Sequence, residues 1–267
     1  MCLDSIRGLA ALSVLLGHLA GSFEWPELIK VISLTPYLNI PFDGKLAVAL
    51  FFVLSGFVLS LSYMNDGERP DKERSICIPA FYARRVVRIW VPWAFVFLLS
   101  VIAQKTIHQI PTTHPPVSTW SLGFWNQPQT VESVIKQSYF ALHDARLMLL
   151  PQDWSLGVEL KGSAFVPFLI IVFRKSFPAM VLATLALYFL IDTGNFYVSF
   201  SIGVMSAGLY RSARWLGFFC KKSVQYVMLF VGIFLYGSCN LVEHFSGYNR
   251  QSDKFFWCLS SLSLIHI

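Results

Sequence analysis

Three groups of ionisable side chains lie in apolar surroundings, and the first suits acid–base chemistry. Arg7 and His18 are 11 residues apart in the first apolar stretch. On an α-helix this separation is a rise of about 16 Å and returns to nearly the same face. A neutral imidazole accepts a proton near pH 7. The spacing therefore predicts a cation at one membrane surface and a base, His18, near mid-membrane. The alternative is an interfacial anchor and a hydrogen-bonded packing residue.

The second group is a pair of arginines, Arg85 and Arg88. Residues three apart are neighbours on a helix face, and guanidinium groups bind phosphate oxygens bidentately. We expect Arg7, Arg85 and Arg88 to hold a phosphorylated ligand together. A basic cluster that only sets the orientation of the chain in the membrane is the alternative.

The third group is a carboxylate, Glu159, near the start of an apolar stretch whose residues 154–159 read WSLGVE. An ionised side chain inside a span costs several kcal/mol in lipid, which predicts that Glu159 lines a polar cavity. Ser155 lies one turn away on the same face. Lys161 is expected to point to the other side of the helix, so we do not expect it to neutralise Glu159.

The composition indicates which elements must position these groups. Of 267 residues, 55% are hydrophobic and 13% are charged, about half the ~25% charged share of a soluble domain. This excludes disordered, collagenous and disulfide-stapled chains. The five cysteines are scattered without a CxxC pair, so neither a disulfide framework nor a metal site is expected. The composition predicts an integral membrane protein.

Apolar stretches long enough to cross a bilayer recur along the chain, since a span needs about 20 apolar residues. We predict an all-α, polytopic transmembrane bundle of about eight spans, all in a single domain, residues 1–267. Residues 105–153 form a long extracytoplasmic loop with a weakly amphipathic piece within 131–150. The predicted spans are 5–22, 45–63, 89–104, 154–173, 177–193, 196–210, 224–241 and an incomplete eighth from about Phe255 to Ile267.

The basic residues indicate the orientation. With a cytoplasmic N-terminus, 13 of the 21 Lys and Arg lie on the cytoplasmic side, seven on the other side, and Lys161 within a span. This bias follows the positive-inside rule and predicts a multi-pass protein of the plasma or inner membrane. The net charge of +6 is then explained by the orientation of the chain in the membrane, and nucleic acid is not an expected partner.

Four stretches together resemble one protein family. They are residues 3–12 with His18, residues 50–57 (LFFVLSGF), residues 85–88 (RVVR) and residues 154–159. In this order they resemble the membrane-bound acyltransferase 3 family, which modifies cell-surface carbohydrates in bacteria. The resemblance covers most of residues 1–175. Family members usually have more spans, so we expect a C-terminally incomplete member. An aromatic pair usual after the Glu is replaced by Lys161-Gly162-Ser163.

The resemblance implies an O-acyltransferase and assigns a role to each group. Acyl-CoA, most commonly acetyl-CoA, would be the cytoplasmic donor, with its phosphates held by Arg7, Arg85 and Arg88. His18 would be the general base for a hydroxyl of an extracytoplasmic or lipid-linked carbohydrate. Glu159 would orient the imidazole or stabilise its charged form. No metal is implied.

Two alternatives remain open. A secondary transporter also suits a buried His and Glu, although the spans show no Gly/Pro-broken symmetry between halves. An inactive, truncated acyltransferase is the other. P-loop, GxGxxG and HExxH motifs are absent from the sequence, which argues against ATP-driven transport, dinucleotide chemistry and metalloproteolysis. Trp120 and Trp125 are candidates for sugar stacking or for an interfacial belt.

Overall fold

The computed structural model describes residues 2–25, 40–64, 76–107, 129–140, 149–150, 152–190, 194–211 and 221–227, with isolated positions at 27, 31, 118, 217 and 230–231. Within these ranges the regular elements are helices, which confirms the predicted all-α bundle. They are α1 Cys2–Ser22, a 3₁₀ turn Ile40–Phe42, α2 Gly44–Leu61, α3 Ile78–Ile107, α4 Val131–Ser138, α5 Asp153–Lys175, α6 Phe177–Leu190 and α7 Gly194–Arg211.

Within the described ranges, four segments are long and apolar enough to cross a bilayer: Leu3–Ser22, Gly44–Leu61, Ile78–Thr106 and Asp153–Lys175. Phe177–Phe189 is a shorter apolar helix. Five predicted spans, 5–22, 45–63, 154–173, 177–193 and 196–210, coincide with α1, α2, α5, α6 and α7. The predicted span 224–241 is described only in part, and the predicted eighth lies outside the described residues, as do Trp120 and Trp125.

Helix α3 differs from the predicted span 89–104. It has 30 residues and begins at Ile78, 11 residues before the predicted span. Phe81, Arg85, Ile89 and Trp93 recur every four residues and are all buried. Residues four apart share a helix face, so these four side chains form one buried stripe that packs against the bundle. The stripe includes Arg85, which shows that this arginine belongs to the helix.

Helices α2 and α7 approach each other closely through glycines. A Cβ on Gly56 would lie 2.3 Å from the Phe200 carbonyl oxygen, and one on Gly203 would lie 2.2 Å from that of Val53. Small residues let helix backbones approach, which is a common basis of packing between membrane helices. Phe52 stacks on Phe200 beside this contact, with ring centroids 5.3 Å apart. The centre of the bundle is therefore tightly filled.

The helix ends fall into two groups. Arg174 of α5 donates a short hydrogen bond to the carbonyl oxygen of Tyr63, just after α2, so these two helices run parallel. At the other end of the bundle Gly17 of α1 lies against the Phe42 backbone, at the start of α2. We call the end that carries Arg7, Arg85 and Arg174 the basic end, and the end where α2 and α5 begin the opposite end.

The segment between α3 and α5 returns into the bundle. Thr130 caps α4 with a capping box, and the indole nitrogen of Trp90, midway along α3, donates to the Ser138 carbonyl oxygen at 3.2 Å. Phe140 and Leu149 are buried against α3 in one apolar cluster. Phe140 has φ 52°, a strained backbone for a bulky residue. The described part of this segment thus packs against α3, and its Leu150 lines the site described below.

Candidate functional site

The centre of the site is an ion pair between α3 and α5. The Arg85 Nη2 donates to Glu159 Oε1 at 2.6 Å, and the Ser55 hydroxyl of α2 donates to the same oxygen at 3.3 Å. The Arg85 side chain is 8% exposed and that of Glu159 is 26% exposed. One carboxylate therefore connects three helices, and removing it would leave a buried cation without its counter-charge.

Two more arginines lie around this pair. Arg7 and Arg88 are close enough to Arg85 for the like charges to repel one another. Arg7 also lies 3.8 Å from the carboxylate of Asp4, which is largely exposed to solvent. The structure thus brings the three sequence-predicted arginines together at the basic end, where the half-buried carboxylate of Glu159 and the exposed one of Asp4 offset part of their charge. Such a concentration of guanidinium groups attracts anions.

The three arginines are not equivalent. Arg85 is buried and its Nη2 is engaged by Glu159, whereas Arg88, one turn further, is exposed and lines a cavity. Arg88 is the better placed to meet a ligand from solvent, and Arg85 the better placed to hold the helices in register.

The cavity that Arg88 lines lies between α3 and α5. We call it the α3–α5 cavity; its volume is about 440 Å³. Ile89, Pro92, Val96 and Leu156 give it apolar walls. Two of its polar residues, Arg88 and Glu159, lie on the side of the basic end. Two others, Gln152 and Asp153, lie at the start of α5, toward the opposite end. It therefore runs lengthwise along the bundle.

A second cavity, of about 340 Å³, contains His18, and we call it the His18 cavity. His18 and Gly17 come from α1, Asp43 and Lys45 from the start of α2, and Trp154 and Ser155 from the start of α5. A Cβ on Gly17 would lie 2.6 Å from the Phe42 carbonyl oxygen, so glycine there lets the chain before α2 approach the imidazole. Asp43 Oδ1 accepts from the Lys45 and Leu46 backbone amides and caps α2.

The two cavities share one lining residue, Gln152. The prediction that Arg7 and His18 belong to one helix holds, since both lie in α1. His18 precedes the end of that helix by four residues, which is about 6 Å, so it lies nearer the end of α1 than its middle. Its backbone carbonyl accepts from the Ser22 hydroxyl.

Glu159 does not line the His18 cavity. Among the described residues its hydrogen bonds go to Arg85 and Ser55, and Ser155, one turn earlier, faces His18 instead. Glu159 was expected beside the His18 imidazole, and Arg85 was expected at the donor phosphates. The structure pairs these two residues with each other. The catalytic roles of His18 and Glu159 and the donor-binding roles of the arginines stay predictions.

The sequence reasoning gave no role to Ser55, Trp93, Gln152 or Asp153, which the structure places at the site. A signal existed for two of them. Trp93 lies on the same buried stripe as Arg85, eight residues later, and Asp153 directly precedes the WSLGVE stretch. The structure also shows why a glycine stands at position 162. A Cβ on Gly162 would lie 2.3 Å from the Phe200 ring of α7, so an aromatic side chain from another helix occupies that space.

Comparison with known proteins gives the family. Neither a curated protein nor a solved structure matches the chain. The sequence model of the family described as "Acyltransferase domain", acyltransferase 3, matches residues 2–264. That match covers α1 to α7 together with both cavities. The chain is a member of the acyltransferase 3 family, and acyl transfer is the general activity that its site has to serve.

Proposed function

We propose that the protein transfers an acyl group, most commonly acetyl, from acyl-CoA bound at the basic end to a carbohydrate hydroxyl at the opposite end. The observation that carries this proposal is the pair of cavities that share Gln152. One begins at an exposed arginine within a basic cluster, and the other contains a histidine. A donor with a charged head and a slim reactive arm suits such a route.

The donor phosphates are assigned to Arg88 and Arg7, the more accessible members of the cluster. Guanidinium groups suit phosphate oxygens because they offer paired donors in one plane. In this proposal Glu159 acts as a positioning residue, since it holds Arg85 at 2.6 Å. Arg85 then adds fixed positive charge behind the phosphates instead of gripping them directly.

The base is His18. Its neutral imidazole takes the proton of the acceptor hydroxyl while the hydroxyl oxygen attacks the thioester carbonyl. The carbon–sulfur bond breaks, and the imidazolium returns the proton to the departing CoA thiolate, so an ester and free CoA result. Asp43, Lys45 and Ser155 give the same cavity charged and hydroxyl groups, which suit a carbohydrate with several hydroxyl groups.

The orientation belongs to this proposal as well. We assign the basic end to the cytoplasm, where acyl-CoA is made, and the start of α5 to the outer side of the plasma or inner membrane, following the excess of Lys and Arg in the loops at the basic end. Labelling of a cysteine introduced at Lys45 by an impermeant reagent in intact cells tests it, and labelling that requires cell lysis would contradict it.

The activity is tested by incubating membranes that contain the protein with radiolabelled acetyl-CoA and following label in glycan. We expect His18→Ala to reduce the transfer at least about a hundredfold, the usual scale of a general base. Leu19→Ala is the control, because Leu19 is the exposed neighbour in α1. Normal transfer by His18→Ala would refute the base. Substrate flux into vesicles without acylation would favour the transporter.

A further inference from the structure

Helix α4 has its apolar side chains on the outside and its polar ones on the inside. Val131, Ile135 and Tyr139 are 78%, 52% and 74% exposed, and residues four apart share one face of a helix. We call these three residues the outer face of α4. On the other side of the helix Ser133 and Gln137 are buried. A surface helix in water has the opposite arrangement, so water does not explain the outer face.

The end of α4 is satisfied by partners within the protein. At a helix C-terminus the last carbonyl oxygens have no partner in the regular hydrogen-bond pattern. In α4 the carbonyl oxygens of Ile135, Gln137 and Ser138 accept from the Ser138 hydroxyl, the Phe140 amide and the Trp90 indole, respectively. A backbone in hydrocarbon requires such partners, because no water is available to bind its polar groups.

The depth of α4 follows from its bond to Trp90. Trp90 lies 12 residues after the start of α3 at Ile78 and 17 before its end at Ile107, which is about 18 Å and about 26 Å of helix rise. The hydrocarbon core of a bilayer is about 30 Å thick. Every 30 Å section of this helix of about 44 Å includes Trp90. The Ser138 carbonyl oxygen, 3.2 Å from the indole nitrogen, therefore lies at the level of the hydrocarbon.

The surface of α3 beside Trp90 has the same apolar character. Val87, Val91 and Phe95 follow one another at four-residue spacing and are all more than half exposed. A spanning helix presents such a face to lipid, since lipid tails are as apolar as these side chains. Because Ser138 is bonded to Trp90 at the edge of this face, the outer face of α4 continues the apolar surface of α3.

The charged residues of α4 are compatible with this position. Glu132 and Lys136 are one turn apart, and Lys136 Nζ lies 2.6 Å from Glu132 Oε1. An isolated charge is costly in hydrocarbon, but charges that pair with one another are found there. The long aliphatic stem of a lysine also lets its ammonium group reach toward the headgroups. The ion pair therefore does not require α4 to lie in water.

We propose that α4 is embedded in the bilayer beside α3, with its outer face in contact with the acyl chains of lipids. Helix α3 ends and α5 begins at the opposite end of the bundle, so α4 enters the membrane from that side. The predicted extracytoplasmic loop, residues 105–153, then has a part that lies in lipid. This inference does not depend on the proposed function, since it concerns contact with lipid alone.

The first test is photo-crosslinking of the wild-type protein in liposomes. One phosphatidylcholine carries a diazirine at the end of an acyl chain, and another carries it on the headgroup. Trypsin cleaves after Lys136 and Arg146, so residues 137–146 form one peptide, and fragmentation in the mass spectrometer locates the adduct within it. We expect the acyl-chain probe to label Tyr139. Labelling of Tyr139 by the headgroup probe alone, or by neither probe, would overturn the inference.

The second test compares nitroxide spin labels at exposed positions in a variant without native cysteines. Ile135→Cys and Tyr139→Cys report on α4, Phe95→Cys is the control for lipid, and Lys222→Cys is the control for water, because Lys222 is exposed at the basic end. Collisions with oxygen, which is enriched in lipid, are compared with collisions with a nickel chelate, which stays in water. We expect the two α4 labels to match Phe95→Cys.

Two results of the spin-label experiment would overturn the inference. Frequent collisions of the α4 labels with the nickel chelate, as at Lys222→Cys, would place the outer face of α4 in water. Few collisions with either reagent would show that protein covers this face, and a distance between labels on two copies would then identify a second chain as the partner.

Discussion

The α2–α7 contact and the α3–α5 contact are built in opposite ways. In the first, Gly56 and Gly203 let the two backbones meet without a side chain at these positions. In the second, the helices are held apart by long side chains, Arg85 and Glu159, that meet at 2.6 Å. At these glycines the backbones leave no space even for a Cβ, whereas a cavity of about 440 Å³ lies beside the ion pair.

This difference separates the rigid part of the bundle from the part that can bind. Close packing gains dispersion contacts over the whole helix length and needs no polar group. A charged pair fixes two helices at one level and lets them diverge elsewhere.

The largest effect is expected from breaking the ion pair on one side. Glu159→Leu leaves the buried Arg85 guanidinium without its carboxylate, and such half-broken pairs lose about 3–5 kcal/mol. The free energy of unfolding, measured by titration with SDS in mixed micelles, checks this. Acetyl-CoA binding should fall in the same variant, because Arg85 is no longer held in place.

A double variant sharpens this prediction. Arg85→Met with Glu159→Leu removes both charges and keeps apolar volume, so most of the lost free energy of unfolding should return. On the proposed function, transfer activity should not return, since the positive charge assigned to support the donor phosphates is gone. Equal stability of the single and double variants would show that the α3–α5 contact does not depend on the charges.

Much of the bundle could be predicted from the sequence, and the site only in part. The lengths of the apolar runs gave α1, α2, α5, α6 and α7. The spacing of Arg7 and His18 placed both in one helix. The predicted span began only at Ile89 because the arginines before it interrupt the apolar run, whereas α3 begins at Ile78. The four-residue spacing of Phe81, Arg85 and Ile89, which are all buried, was a signal that the helix starts earlier.

The pairing within the site was beyond the sequence. Arg85 and Glu159 are 74 residues apart, and whether they meet depends on how far α3 is shifted along α5. A shift of one helical turn, about 5.4 Å, would place Arg88 opposite Glu159 instead. Gln152, which lines both cavities, comes soon after Phe140 and Leu149, and these two residues pack on α3 through contacts that are distant in the sequence.

The second largest effect is expected at the tight contact. Gly203→Ala places a Cβ 2.2 Å from the Val53 carbonyl oxygen and 2.6 Å from the Phe57 amide nitrogen, and backbone atoms cannot move aside cheaply. Overpacking of this kind costs about 1–3 kcal/mol. We expect a lower unfolding free energy and, because α2 carries Ser55, a weaker site.

Gly8→Ala in α1 is the matched control for Gly203→Ala. A Cβ there meets nothing within 4 Å, and alanine favours helix by about 1 kcal/mol over glycine, so the variant should equal or exceed the wild type in stability. Equal losses in both variants would contradict the close approach of α2 and α7.

The smallest effect is expected where the two contacts meet, at Ser55 of α2. Ser55→Ala removes the 3.3 Å hydrogen bond to Glu159 and leaves the ion pair in place, so the loss should be about 1 kcal/mol. Ser60→Ala on the same helix is the control, because the Ser60 hydroxyl donates only to carbonyl oxygens of its own helix. If Ser55 connects the packed contact to the ion pair, Ser55→Ala lowers acetyl-CoA affinity and Ser60→Ala does not. The same affinity in both variants would mean that Arg85 alone holds Glu159 in place.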